Sequence, residues 1–134
     1  MSQACHNTSL SVTEARERTV ADVMLARPKT LRADATVTDL RRLLENEHIV
    51  TVLLVEGDHY VGSVERSAVL DGLAGSTPAA SLAQPGDTIV PDAPMSEALA
   101  RFDATGGRRL VVVEPDGRLA GLLCLGSGRN AFCR

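Results

Sequence analysis

Thr30-Leu31-Arg32-Ala33-Asp34-Ala35 lies over Thr88-Ile89-Val90-Pro91-Asp92-Ala93, and the register runs without a gap to Val55-Glu56 over Val113-Glu114. One extra residue in the second turn then brings Gly62 over Gly121, an insertion placed where a surface turn absorbs it most cheaply. An internal duplication constrains the fold more than any single residue does. It shows which positions the structure uses twice, and each copy must find a second element on which to bury its apolar face.

Both copies read alike. An extended piece (Lys29 to Arg32; Asp87 to Val90) precedes a helix whose apolar positions are Val37, Leu40, Leu43 and Leu44, or Met95, Ala98, Leu99 and Phe102. Those positions recur at the three-to-four spacing of one buried face. Thr36 with Asp39 forms a capping-box pattern, Pro94 suits the first turn, and Gly106-Gly107 stops the second helix. An unbroken apolar strand follows, Thr51 to Val55 or Leu110 to Val113, and its lack of alternation predicts cover on both faces. Turns at Glu56-Gly57-Asp58 and Glu114-Pro115-Asp116-Gly117 lead to return strands at Tyr60 to Val64 and Leu119 to Leu123. The first copy then continues as a helix, Arg66 to Leu73, whereas the second runs into Gly126-Ser127-Gly128, which predicts a short or missing last helix.

The 134 residues are 44% hydrophobic, with one Tyr, two Phe and no Trp, so one shared core of aliphatic packing is expected. A net charge of -3 with interspersed signs provides no basic stripe, and nucleic acid is not an expected partner. The apolar runs at Val50 to Val55 and Leu119 to Leu125 fall far short of the roughly 20 residues that span a bilayer. Met1 to Val12 lacks the pattern of a signal peptide, and a soluble, cytoplasmic protein is expected. Cys5, Cys124 and Cys133 cannot all pair within one chain, and a reducing compartment suits them. A metal site from Cys5, His6 and Cys133 lacks ligand-spaced pairs, and inert thiols are the simpler reading. His48 and His59 each lie beside a strand with no catalytic partner motif.

The unit of strand, helix, strand, strand and helix occurs twice, introduced by Thr19-Val20-Ala21-Asp22-Val23-Met24 and Pro28-Lys29-Thr30-Leu31. Over about residues 19 to 130 it resembles a tandem pair of cystathionine-β-synthase-type (CBS) domains. The resemblance implies an α+β fold, with the β-α-β-β-α unit repeated about a pseudo-twofold axis. It also implies a regulatory function without catalysis, and clefts between the repeats that hold AMP, ATP or S-adenosylmethionine. Two such modules commonly join as a flat homodimer, here with an unknown regulated protein as partner. The expected divisions are a partly disordered tail at 1–18, a first repeat at 19–75, and a second repeat at 76–134 with a truncated last helix.

The ligand motif departs from the family. Nucleotide-binding members carry a glycine, two apolar residues, a threonine, two variable residues and an aspartate that holds the ribose. Here the copies read Gly62-Ser63-Val64-Glu65-Arg66-Ser67-Ala68 and Gly121-Leu122-Leu123-Cys124-Leu125-Gly126-Ser127, both without the aspartate. Val111 replaces a proline often found before the paired valines.

Six residues are the ligand-binding candidates: Thr30, Glu65, Arg66, Thr88, Arg109 and Cys124. Thr30 and Thr88 match cleft-lining threonines, though threonine is also a good strand residue. Arg66, at the expected helix start, suits a phosphate, with a solvated surface arginine as the plainer role. Arg109, with Arg108 before it, suits an anion or simply a polar approach to an apolar strand. Glu65 opposes a polyphosphate, and Cys124 reads as a buried apolar thiol rather than a nucleophile. AMP and ATP are accordingly expected to bind weakly, and a ligand-free dimerisation or docking module is the alternative function. No phosphate loop, metal motif or nucleophile elbow supports an enzyme.

Overall fold

The computed structural model describes residues 9–133. In chain order the elements are β1 (Ser9–Ser11), α1 (Val12–Ala15), α2 (Val20–Val23), β2 (Thr30–Arg32), α3 (Val37–Leu43), β3 (Thr51–Glu56) and β4 (His59–Glu65). There follow β5 (Thr88–Ile89), α4 (Met95–Thr105), β6 (Arg109–Val113), β7 (Leu119–Cys124) and β8 (Ala131–Cys133). The fold is α+β, and the duplication holds in three dimensions. One three-stranded sheet has the order β2-β3-β4 and the other β5-β6-β7, each with a parallel first pair and an antiparallel second pair. Even the ladder irregularity is copied, between Leu54 and Val55 in one hairpin and between Val112 and Val113 in the other.

The sequence sets the helix ends as expected. The Asp39 carboxylate accepts from the Thr36 backbone N–H at 2.9 Å and from its hydroxyl at 3.3 Å. Gly106 closes α4 at φ 73°, a left-handed conformation that glycine takes without strain.

The compact units do not follow the copies. One unit is Pro28–Gly86, and the other joins Met1–Arg27 to Asp87–Arg134. The reason lies at two strand edges. Ser63 of β4 exchanges backbone hydrogen bonds with Gln84, both 2.9 Å, and Gln84 belongs to the lead-in of β5. Leu122 of β7, the counterpart of Ser63, exchanges bonds of 2.8 and 3.0 Å with Leu25, in the lead-in of β2. Each copy's return strand thus has its open edge covered by the approach to the other copy's first strand. The segment Thr19 to Met24, assigned by sequence to the first repeat, packs in the unit built on β5, β6 and β7: Val20 and Val23 join the core of Leu99, Phe102, Val112 and Leu123. The Pro28–Gly86 unit buries Val37, Leu40, Val52, Leu54 and Val64.

Two expectations are corrected. The tail at 1–18 is structured from Ser9 onward: β1 pairs antiparallel with β8, Leu10 is buried, and a capping box of Ser11 and Glu14 starts α1. A lone leucine among polar residues hid a strand whose partner lies at the other end of the chain. The part of the expected mobile tail before Ser9, with Cys5 and His6, lies outside the described residues. The expected helix from Arg66 to Leu73 is a single 3-10 turn at Arg66–Ala68. The following carbonyls, on Leu70, Asp71 and Leu73, accept from Arg41, the Leu70 carbonyl taking only a turn-type bond from the Leu73 N–H besides, and Gly72 and Gly75 disfavour the helix. In the second copy the short or missing last helix was expected: its place is taken by a turn and β8, whose Phe132 is fully buried and packs on Phe102 with ring centroids 5.9 Å apart.

Candidate functional site

Each sheet ends its last strand at the motif the sequence singles out. In the Pro28–Gly86 unit the strand ends on Glu65, opposite Thr51 in the ladder. The buried Thr51 hydroxyl donates to the Glu65 carboxylate at 2.9 Å, which fixes one carboxylate oxygen while the residue stays exposed. The chain then turns, and Arg66 folds back beneath the end of α3. Its Nε donates to the Ile49 carbonyl at 3.0 Å, and its Nη2 lies 2.7, 2.8 and 3.0 Å from the carbonyls of Ile49, Asn46 and Leu44. Orphan carbonyls at a helix end are natural partners for a guanidinium. Arg66 is therefore a C-terminal cap of α3, half-buried rather than a freely solvated surface arginine.

Ala68, at the position of the family aspartate, is half-buried and packs against the apolar core of its unit. Its methyl group cannot accept a hydrogen bond. Thr30 is exposed on β2, in register with Leu53 and, one strand further, Ser63, two residues before Glu65.

The sequence reading missed Tyr60 and Ser63. Their hydroxyls lie 2.6 Å apart, and the Gly86 N–H donates to the Tyr60 oxygen at 3.0 Å, so this side-chain pair pins the connecting segment along β4. That Tyr60 is the sole tyrosine of the sequence was the available signal.

In the second unit Arg109 and Cys124 face each other across the β6–β7 ladder. Cys124 is 4% exposed. Burial pushes its thiol pKa up, and the Arg109 charge, the Arg108 charge and a hydrogen bond from Arg109 oppose the shift without cancelling it. The thiol is a neutral core group that engages Arg109, as expected for an inert cysteine. Cys133 is disulfide-bonded, which corrects its reading as an inert free thiol in a reducing compartment and takes it out of any metal site. Thr88 is exposed, and its carbonyl accepts from Arg101 Nη1. Ser127, at the second aspartate position, is exposed in the turn before β8.

The structure thus brings Arg109 and Cys124 together, places Glu65 and Arg66 side by side in sequence but on different partners, and gives Thr30 and Thr88 no side-chain hydrogen bond among the described residues. Among the described residues no cluster of three or more His, Cys, Asp or Glu could hold a metal, and no helix is long and apolar enough to cross a membrane.

Solved structures share this architecture. The chain is similar to the CBS domain of a bacterial CNNM/CorC family Mg2+ transporter in complex with ATP, at 23% identity and TM-score 0.73 over 85% of this chain and 86% of that one. A protein assigned to acetoin utilization from Vibrio cholerae matches at 24% identity and TM-score 0.72, covering 81% and 84%. A CBS domain protein from Pyrobaculum aerophilum complexed with AMP matches at 21% identity and TM-score 0.70, covering 80% and 87%. A search of the curated proteins finds no match. The CBS domain family model matches twice, at residues 20–75 and 84–127, together most of the chain. With the sheet order, helix placement and strand-end motifs all used in duplicate, the chain belongs to the CBS domain family as a tandem pair.

Proposed function

We propose that this protein is a non-catalytic regulatory module whose ligand is an adenosyl compound without a phosphate chain, such as adenosine or S-adenosylmethionine, and that it works as a homodimer. The adenosyl class is supported by the relatives solved with AMP and with ATP. One observation carries the preference against phosphate: Arg66 is turned onto the carbonyls of Leu44, Asn46 and Ile49, while the Glu65 carboxylate stands exposed at the strand end. A negative charge there repels a phosphate and attracts a sulfonium or ammonium group. Without the ribose aspartate, a charge-assisted bond worth about 1.5 to 3 kcal/mol is lost, so affinity falls about ten- to a hundredfold for any such ligand.

A thermal-shift and calorimetric series tests the reading. Adenosine and S-adenosylmethionine are expected to bind more tightly than AMP, and AMP more tightly than ATP, with Glu65→Gln narrowing the gap. A ligand at about a hundred times its dissociation constant adds about 2.7 kcal/mol, which a melt detects. Micromolar AMP binding to the unaltered protein overturns the preference. If no adenosyl compound binds, the apolar Ala68 supports the second reading, a ligand-free dimerisation or docking module.

A further inference from the structure

We propose that the hollow between Arg41 and Arg66 in the Pro28–Gly86 unit is a binding site for a small zwitterion, an α-amino acid with an apolar side chain, distinct from any adenosyl site. The hollow measures about 280 Å³ and is lined by Arg41, Leu44, Glu45, Arg66, Val69 and Asp71. Both guanidiniums are half-buried and held rigidly. Arg41 Nη2 lies 2.7 to 3.2 Å from the carbonyls of Leu70, Asp71 and Leu73, and Arg66 uses Nε and Nη2 on three further carbonyls. Arg66 Nη1 and the Nε and Nη1 of Arg41 make no hydrogen bond among the described residues, so preorganised cationic donors remain for a ligand.

The rim has the opposite character. Glu45 and Asp71 are exposed carboxylates that form no ion pair among the described residues. Two positive groups held by carbonyls and two exposed negative groups sum to zero, so the site disfavours a dianion and suits a ligand carrying one charge of each sign. A carboxylate would sit on the guanidinium donors, the ammonium would meet Glu45 or Asp71, and an aliphatic side chain would cover Leu44 and Val69. Two neighbouring hollows of this unit, one lined by Leu31, Arg32, Asp34, Ala35 and Asp39 and one by Arg32, Asp34 and Glu56 among others, lack this property, because Arg32 and Asp34 already neutralise each other at 2.8 Å. Since Arg66 follows Glu65 directly, an occupant would bear on the strand end and give the module a second input.

Calorimetry with L-valine and L-leucine, set against N-acetyl-L-valine and L-valinamide, tests the proposal, with backbone NMR shifts locating the site. The free amino acids are expected to bind at least roughly tenfold more tightly than either blocked analogue and to shift Leu44, Glu45 and Val69. Glu45→Gln, at an exposed side chain that forms no ion pair among the described residues, should keep the melting temperature and weaken L-valine about tenfold. The proposal is overturned by absence of binding, by N-acetyl-L-valine or inorganic phosphate binding as well as L-valine, or by an unchanged affinity in Glu45→Gln.

Discussion

Arg66 and Arg129 cap equivalent helix ends from non-equivalent places in the repeat. Arg66 reaches the Leu44 carbonyl at 3.0 Å, and Arg129 reaches the carbonyl of Phe102, the counterpart of Leu44, at 3.1 Å. Arg129 also donates to Gly106 and Gly107. The residue aligned with Arg66 in the second copy is the buried Leu125, so the cap moved into the turn before β8. To reach it, Arg129 takes φ 60°, a left-handed value unusual for a non-glycine residue.

Losing these caps should cost unequal amounts. Arg66→Met leaves half-buried carbonyls without donors and is expected to destabilise by about 2–3 kcal/mol, whereas the exposed Arg129→Met should cost about 1 kcal/mol. Urea unfolding of both variants checks the order, and equal losses would contradict the burial argument.

The paired glycines Gly62 and Gly121 should also differ. A Cβ on Gly121 would lie 2.5 Å from the Leu25 carbonyl oxygen and 2.7 Å from Met24 Sδ, whereas on Gly62 its nearest neighbour would be the Ala83 methyl at 3.1 Å. Gly121→Ala is expected to lose about 2–3 kcal/mol by forcing the lead-in off β7, and Gly62→Ala about 1 kcal/mol or less. Thermal melts of the two variants measure the difference.

Cys124 should resist alkylation at neutral pH in the folded protein, because burial holds the thiol protonated. Its folded pKa is raised, so its contribution to stability is complete below the ordinary thiol value of 9.0 and is lost as pH rises through the higher folded value. Peptide mapping after iodoacetamide treatment, with and without denaturant, should find Cys124 modified only when unfolded. Cys124→Ala should flatten the alkaline end of the stability curve.

Phe132→Ala is expected to destabilise by about 3–5 kcal/mol, as for a large aromatic removed from a closed core. Removing everything before Val12, which takes away β1, should also lower stability, since Leu10 is buried against the same core. An unchanged urea midpoint in either variant would show that the terminal sheet is dispensable.

Most of the fold was legible because the duplication and apolar periodicity act locally. Val37 and Leu40, like Met95 and Phe102, announce their helices by spacing, and Thr51 to Val55 announces a strand covered on both faces. What escaped depends on distant partners. Ser9–Ser11 is a strand only because Ala131–Cys133 lies beside it, and Leu25 belongs with Leu122 through backbone bonds that leave no residue-type signature. The site was half legible: the missing aspartates and the inert Cys124 could be read from residue types, but the turn that sends Arg66 under α3 could not. Arg66 and Arg129 act through backbone carbonyls, which every sequence has.

The exchanged lead-ins also fix an order of events during synthesis. Pro28–Gly86 is continuous, with every partner of its sheet, Gln84 included, available once that stretch has been made. The other unit needs Leu10, Val20 and Leu25 from the beginning of the chain and Leu122 and Phe132 from its end. Its contacts are among the longest in sequence that the molecule makes, and such contacts form slowly. The middle of the chain can therefore complete its unit as soon as it is made, whereas Leu10, Val20 and Leu25 stay without their partners until β7 and β8 have been made, which leaves these early apolar residues open to chaperones and proteases for longer.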